Sequence, residues 1–193
     1  MKGYVQIYTG DGKGKTTAAI GLAIRALGAG KRVLFLQFMK SKSYSEHLVL
    51  KNLAPNLTVE TIGKPFFIAK EGSLSPEELA QWSDEVVVFP QGKPPEEYKA
   101  LAEQGVKRAE AAVSSGEFDM VILDEIVVAN YFELVNDQQL QSILAKRLES
   151  VEVILTGRKA SKALMKQADL VTEMKEVKHY YQQGVEARKG IEN

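Results

Sequence analysis

Short apolar or alternating runs recur along the chain, separated by longer stretches in which apolar residues return every three or four positions. The runs at 32–37, 118–123 and 151–155 are rich in Val, Ile, Leu and Phe and read as buried strands. Residues 4–8 form a further β-type run, 58–62 alternate like a strand, and Leu170-Val171-Thr172 is read as another buried strand. Helical periodicity falls between them, at 18–29, 96–115, 137–148 and 161–168, with a short helix predicted over 43–52. Gly28-Ala29-Gly30 stops the first helix just before the second strand. Strands alternating with helices predict right-handed βαβ units, and so an α/β fold: a mainly parallel sheet with helices on both faces. Ligands of such sheets bind at the carboxyl ends of the strands.

The rhythm breaks between residues 63 and 95, where Pro65, Gly72, Pro76, Pro90, Gly92, Pro94 and Pro95 punctuate the chain. Ser75-Pro76-Glu77-Glu78 has capping-box spacing with proline at the first helical position, so a short helix through Trp82 is expected inside a region that is otherwise partly loop. A long excursion of this kind inside one domain serves either as a lid or binding loop or as a solvated detour.

Composition narrows the class. The chain of 193 residues is long enough for one domain with a full core, and 45% hydrophobic with 26% charged residues is a globular balance. Lys plus Arg equals Asp plus Glu at 25 each, so no net field draws nucleic acid, and none is expected as a partner. No cysteine is present, which removes disulfides, thiolate nucleophiles and cysteine metal sites. No apolar run reaches the roughly 18 residues of a membrane helix, and the chain runs from Met1 into its first strand without signal-peptide architecture. A cytoplasmic protein with no membrane partner is expected.

The candidate chemistry centres on Gly10-Asp11-Gly12-Lys13-Gly14-Lys15-Thr16-Thr17, between the first strand and the first helix. Glycines let successive N–H groups point inward around phosphates, and the helix N-terminus adds its positive end. Lys15 would reach a phosphate oxygen, and Thr16 would offer its hydroxyl to magnesium. The spacing is G-x-x-x-G-K-T, one residue tighter than the usual phosphate loop, with Thr9 where its first glycine would stand. A second element is Asp124-Glu125 at the end of an apolar strand, a pattern that holds magnesium beside a triphosphate. Adjacent acids on a strand point to opposite faces, so one of the two is expected to face the metal directly. Thr156-Gly157-Arg158 puts a guanidinium at another strand end, where it could fork onto phosphate oxygens. Arg25 lies on the helix after the loop, where an amphipathic-helix role competes with a functional one. His179 has no nucleophile to pair with and is read as a packed or solvated histidine.

Taken together, residues 8–19, 25–33, Gln37-Phe38-Met39-Lys40, Leu123-Asp124-Glu125-Ile126, Leu155-Thr156-Gly157-Arg158 and the blocks at 168–174, 177–179, 183–185 and 187–192 resemble the P-loop type of cob(I)alamin (corrinoid) adenosyltransferase. The blocks span nearly the whole chain, whereas a generic ATPase would share only the loop and the acidic strand end. The resemblance implies a single P-loop (RecA-like) domain over residues 1–193, with a lid-like insertion at about 63–95. It implies an enzyme that uses ATP, Mg2+ and a corrinoid substrate. Cobalt(I) attacks the 5′ carbon of ATP, a cobalt–carbon bond forms, and inorganic triphosphate leaves.

By the same resemblance, residues 10–17 and Arg25 would hold the nucleotide in an unusual orientation. Lys15 and Arg158 would act on the leaving group, with Arg25 helping to neutralise it. Thr16, Asp124 and Glu125 would hold magnesium. Family members displace the lower cobalt ligand with aromatic side chains; Phe66, Phe67 and Trp82 are the candidates here, although the familiar tryptophan-threonine continuation is missing. A flavoprotein reductase and a homodimer partner are further implications. Some relatives carry an N-terminal extension over the active site that this sequence is expected to lack. Two other readings stay open: a deviant P-loop ATPase or switch protein, for which Lys13 is a superficial match, and a non-enzymatic ATP-gated corrinoid carrier.

Overall fold

Fourteen strands and α-helices follow one another as β1 (Val5–Thr9), α1 (Lys15–Gly28), β2 (Val33–Phe38), α2 (Ser45–Leu50), β3 (Leu57–Ile62), β4 (Phe67–Lys70), β5 (Val86–Phe89), α3 (Glu96–Ser115), β6 (Met120–Asp124), α4 (Ile126–Tyr131), α5 (Asp137–Lys146), β7 (Glu152–Thr156), α6 (Lys162–Met165) and β8 (Leu170–Glu173), among the described residues. The structure, a computed structural model, describes residues 2–40, 44–53, 55–64, 67–72, 79 and 86–192, with Phe67 described in its backbone alone.

Six strands form one sheet in the order β3-β2-β6-β7-β1-β8, and every neighbouring pair is parallel. The expected α/β architecture is what forms. Every residue of β2 and β6 is buried, because a central parallel strand is covered on both faces. Alternation then sorts their side chains. Val33, Phe35, Met120 and Ile122 pack with Ala19, Ala23 and Ala26 of α1 on one face. Leu34, Leu36, Phe38, Val121 and Leu123 pack on the other face with Ala102, Val106, Ala109 and Val113 of α3. Alanine and valine on these helix stripes let the backbone approach the sheet closely. The strand expected to be buried at 170–172 is instead exposed: β8 lies at the sheet edge, beside β1 alone, and all four of its residues are exposed.

Local signals set several boundaries. Asn136 caps α5 through a complete capping box with Gln139, and the Ser161 hydroxyl accepts from the Leu164 N–H at the start of α6. The first helix begins at Lys15 rather than at 18, because Gly14 in the left-handed region turns the loop straight into it. Lys15 and Thr16 therefore sit in its first turn. The helix expected over 161–168 is confined to Lys162–Met165.

Two features are additions to the sequence reading. Residues 67–70 and 86–89 form a separate two-stranded parallel sheet, β4-β5, in the region expected to be partly loop. The run Val86-Val87-Val88-Phe89 is strongly strand-forming, but the prolines around it mask the signal. The second addition is α4, directly behind the acidic pair. The short helix expected over 75–82 lies, apart from Leu79, outside the described residues. Among the described residues no helix is long and apolar enough to cross a membrane.

Candidate functional site at the carboxyl edge of the sheet

The strand order turns residues far apart in sequence into a row. Reading across the sheet, the carboxyl ends of β1, β7, β6 and β2 carry the glycine loop, Arg158, Asp124-Glu125, and Gln37 with Lys40. Neighbouring strands are about 4.8 Å apart, so four short segments share one edge.

The loop is clamped from behind by the end of β8. The Met174 N–H donates to the Thr9 carbonyl at 2.8 Å, and the Gly12 N–H donates to the Met174 carbonyl at 2.8 Å. Gly10 has φ 95°, and a Cβ there would stand 2.3 Å from the Met174 carbonyl oxygen; one at Gly12 would stand 2.8 Å from the same atom. Glycine is thus required at both positions by close backbone approach as well as by conformation. Replacing Gly10 by alanine should lower the unfolding free energy by about 1–3 kcal/mol from the positive φ alone, with overlap adding to it. Denaturant titration of Gly10→Ala checks this, and wild-type stability would refute the clamp.

Lys15 is buried in the first turn of α1. Its Nζ donates to the carbonyls of Gly10 at 2.7 Å and Gly12 at 2.6 Å, so the side chain curls under its own loop. Burial lowers its pKa below the ordinary lysine value, and the nearby Arg158 guanidinium adds to the effect.

Asp124 is fully buried and is the hub of the site. Its Oδ1 accepts from the Thr16 hydroxyl at 2.9 Å and the Thr156 hydroxyl at 2.6 Å. Its Oδ2 accepts from Gln37 Nε2 at 3.0 Å and Lys40 Nζ at 3.1 Å. His47 Nε2 in turn hydrogen-bonds Gln37 Oε1, and burial lowers the His47 pKa. Burial also works against the Lys40 charge, but Asp124 first, then Glu125 and Glu46, outweigh it and hold the ammonium pKa above its ordinary value.

Glu125 leaves the strand at φ 60°, uncommon for a residue with a side chain, and its N–H donates to the Thr156 hydroxyl oxygen at 2.9 Å. Burial, followed by the adjacent Asp124 charge, raises its carboxyl pKa. Of the two acids, Glu125 borders the open cleft and Asp124 sits buried behind it, touching Thr16. Thr16, Asp124 and Glu125 offer oxygen donors only. That set fits magnesium, which takes one or two carboxylates and completes its shell with water and phosphate.

These groups face an open cleft of about 1040 Å³. Lys13, Gly14, Lys15, Thr16 and Thr17 line it together with Arg158. Ile68, Ala69 and Val86 of the small β4-β5 sheet form an apolar wall. The tail contributes His179, Tyr181, Gln182 and Ile191. Lys13 ties that tail to the loop, with its Nζ donating to the Ile191 carbonyl at 2.7 Å and lying 3.9 Å from Glu192. His179 accepts from the Tyr181 N–H through Nδ1 and caps a 3₁₀ turn at Tyr180–Gln183.

Other expected residues fall elsewhere. Asp11 pairs with Lys159 at 3.2 Å, where both side chains are exposed. Arg25 is exposed in the last turn of α1, ten residues after Lys15. That is about 15 Å along the helix axis from Lys15, and among the described residues Arg25 is not part of the cleft lining. Phe66 and Trp82 lie outside the described residues, and Phe67 opens β4 with its side chain undescribed.

The site also contains four residues that were given no chemical role of their own: Gln37 and Lys40, read only within a block of the resemblance, Thr156, read only beside Arg158, and His47. A lysine just beyond an apolar strand was the available signal for Lys40, but only the β2–β6 pairing, with Gln37 opposite Asp124, gives it meaning.

A phosphate loop clamped by the tail, with an acidic strand end and a strand-end arginine beside it, invites comparison with known proteins over the full length. The family model described as ATP:corrinoid adenosyltransferase BtuR/CobO/CobP matches residues 1–193. The corrinoid adenosyltransferase of Escherichia coli K12 is 31% identical over 191 residues, covering 99% of this chain and 86% of that protein. The corrinoid adenosyltransferase of Pseudomonas aeruginosa is 30% identical over 195 residues, covering 99% and 84%. Corrinoid adenosyltransferase CobA of Salmonella typhimurium LT2 is 32% identical over 193 residues, covering 99% and 86%. Loop, acidic strand end, strand-end arginine and tail all fall within these matches, and the chain belongs to the ATP:corrinoid adenosyltransferase BtuR/CobO/CobP family.

Proposed function

We propose that this protein transfers the 5′-deoxyadenosyl group of ATP to the cobalt(I) of a reduced corrinoid and releases inorganic triphosphate. The observation that carries this reading is the two-sided cleft, with a cationic phosphate loop on one side and the apolar β4-β5 wall on the other. A cleft of about 1040 Å³ is at the upper end of what single small ligands occupy, and it suits a nucleotide with part of a second, larger substrate.

The reaction is a displacement at carbon. The cobalt electron pair forms the new bond to C5′, the C5′–oxygen bond breaks, and its electron pair leaves on the triphosphate. No protein base is needed, so the task of the chain is to hold the two substrates in line and to stabilise the growing negative charge. The Lys13–Thr17 segment would cradle the phosphates with its N–H groups, and Lys15 would swing from the Gly10 and Gly12 carbonyls onto a phosphate oxygen. Arg158 would add a second cation. Thr16, Asp124 and Glu125 would hold Mg2+, which supplies further charge neutralisation when bound. The Gly12 N–H is spent on the Met174 carbonyl, so the cradle would draw on the other N–H groups of the loop.

On the other side, Ile68, Ala69 and Val86, with Phe66, Phe67 and Trp82 as further candidates, would form the corrinoid wall, making residues 63–95 a lid of a single domain. We extend the reading to a reducing, cytoplasmic setting, an electron-donating flavoprotein, and a second copy of this chain as partners, since cobalt(I) must be generated and kept from oxidants.

Glu125 at the cleft supports one competing reading, in which it positions water and the protein is an ATPase. A single anaerobic assay decides. Mixed with ATP, magnesium and chemically reduced cobalamin, the protein should yield adenosylcobalamin and triphosphate in equal amounts. ADP with phosphate would overturn the proposal, and tight corrinoid binding without product would make the protein a carrier.

A further inference from the structure

We propose that Lys40 is a third cation for the triphosphate, paired with Asp124 and able to turn onto the departing phosphates during the reaction. This rests on the adenosyl-transfer reading above, and concerns a residue that no motif assigned to the chemistry.

Three observations lead to it. Lys40 lies just past β2, and its side chain is 13% exposed, yet it borders the same cleft as Lys15, Thr16, Glu125 and Arg158. It is thus a largely buried ammonium facing a substrate space rather than solvent. Second, it shares one carboxylate with the loop: Thr16 donates to Oδ1 of Asp124 while Lys40 donates to Oδ2. The ammonium therefore stands within one carboxylate's width of the hydroxyl in the first turn of α1. Third, Asp124 retains Thr16, Thr156 and Gln37 as donors when Lys40 turns away, so the buried carboxylate is not left bare.

The other contacts of Lys40 are weak enough to yield. Glu46 Oε1 is 3.9 Å away, and the Tyr44 ring centroid is 4.9 Å from Nζ. A lysine has three donors on a flexible stem, so Nζ can keep one contact while directing others to phosphate oxygens. Lys13, the remaining lysine of the cleft, is already engaged by the Ile191 carbonyl. When the C5′–oxygen bond breaks, its electron pair settles on the triphosphate, and Lys40 stabilises it as an ammonium without giving up a proton. Across the sheet edge, Lys15, Arg158 and Lys40 then oppose the polyanion from three strand ends.

The test is calorimetric titration of inorganic tripolyphosphate, with magnesium chloride, into the wild type and the Lys40→Gln, Lys40→Met and Lys40→Arg variants. Thermal unfolding and anaerobic adenosylation are followed in parallel. Lys40→Gln keeps a hydrogen-bond donor for Asp124 without the charge. Removing one charge-assisted hydrogen bond should weaken tripolyphosphate binding roughly 10- to 100-fold in the Gln and Met variants. The Arg variant should retain most of the affinity, and kcat should fall while the corrinoid KM stays near wild type. Wild-type tripolyphosphate affinity in the Gln and Met variants, with only the unfolding temperature changed, would overturn the role of Lys40 while wild-type adenosylation stands. Absence of adenosylcobalamin from the wild type would instead overturn the adenosyl-transfer reading.

Discussion

Lys15→Ala should lose adenosyl transfer by at least about 10²–10³-fold while unfolding close to the wild-type temperature. The factor is that of one preorganised group aimed at developing charge. The unusual part is the expected retention of fold. Lys15 is buried and donates to two loop carbonyls, hydrogen bonds from a charged group that together contribute about 3–6 kcal/mol. Against this, its charge is held in a desolvated place beside Arg158, and both effects lower its pKa. Removing the ammonium relieves that repulsion, so most of the lost hydrogen bonding is offset. Adenosylcobalamin formation measured beside a thermal melt separates the two effects. A variant with full activity, or one that fails to fold, would contradict the assignment of Lys15 to the leaving group.

Asp124→Ala should do the opposite and damage both properties. The carboxylate is fully buried and accepts four hydrogen bonds, from Thr16, Gln37, Lys40 and Thr156. Without it, the largely buried Lys40 ammonium loses its nearest counter-charge, and removing one partner of such a pair costs about 3–5 kcal/mol. For a chain of this size, each kcal/mol shifts the melting temperature by about 2–4 °C, so a drop of about 6–20 °C is expected. Activity should vanish as well, because the Thr16 hydroxyl loses its orienting acceptor and the proposed magnesium site loses a carboxylate. Asp124→Asn, which keeps the shape but presents an amide to some of the four donors, should fall between wild type and Asp124→Ala in stability. Equal melting temperatures for Asp124→Ala and wild type would show that the hub is not structural.

The contrast between these variants follows from where each charge sits. Lys15 belongs to a loop whose shape is held by backbone contacts with Met174, so its side chain is free for chemistry. Asp124 belongs to a buried network that joins β2, β6, β7 and α1, so its side chain serves fold and site together.

Much of this was legible in the residues alone, for definable reasons. The strands at 32–37, 118–123 and 151–155 announce themselves because central parallel strands are apolar on both faces. The loop and the acidic strand end are contiguous in sequence and need no folding to be seen. The β4-β5 pair was hidden because its two short strands stand among prolines, lie sixteen residues apart and pair only with each other. The position of Arg25 was not legible for a related reason: it depends on helix length, since ten residues of helix carry it about 15 Å along the axis from Lys15.

By itself, then, the sequence determined the strand–helix rhythm, the parallel sheet, the phosphate loop and the family, because each is written in local periodicity or in contiguous motifs. Only the tertiary structure decided which side chains share the site. The order β3-β2-β6-β7-β1-β8 sets residues 15, 158, 124 and 40 along one edge. It gives the glycines at 10 and 12 a backbone neighbour, Met174, more than 160 residues away. It also makes Lys40 and Gln37 partners of Asp124. Hydrogen bonds of this kind act over about 3 Å of space and are blind to separation along the chain. The loop glycines are the clearest case: Gly10 and Gly12 are plain in the sequence, but the close approach of the tail that forbids a side chain at either exists only in the folded chain.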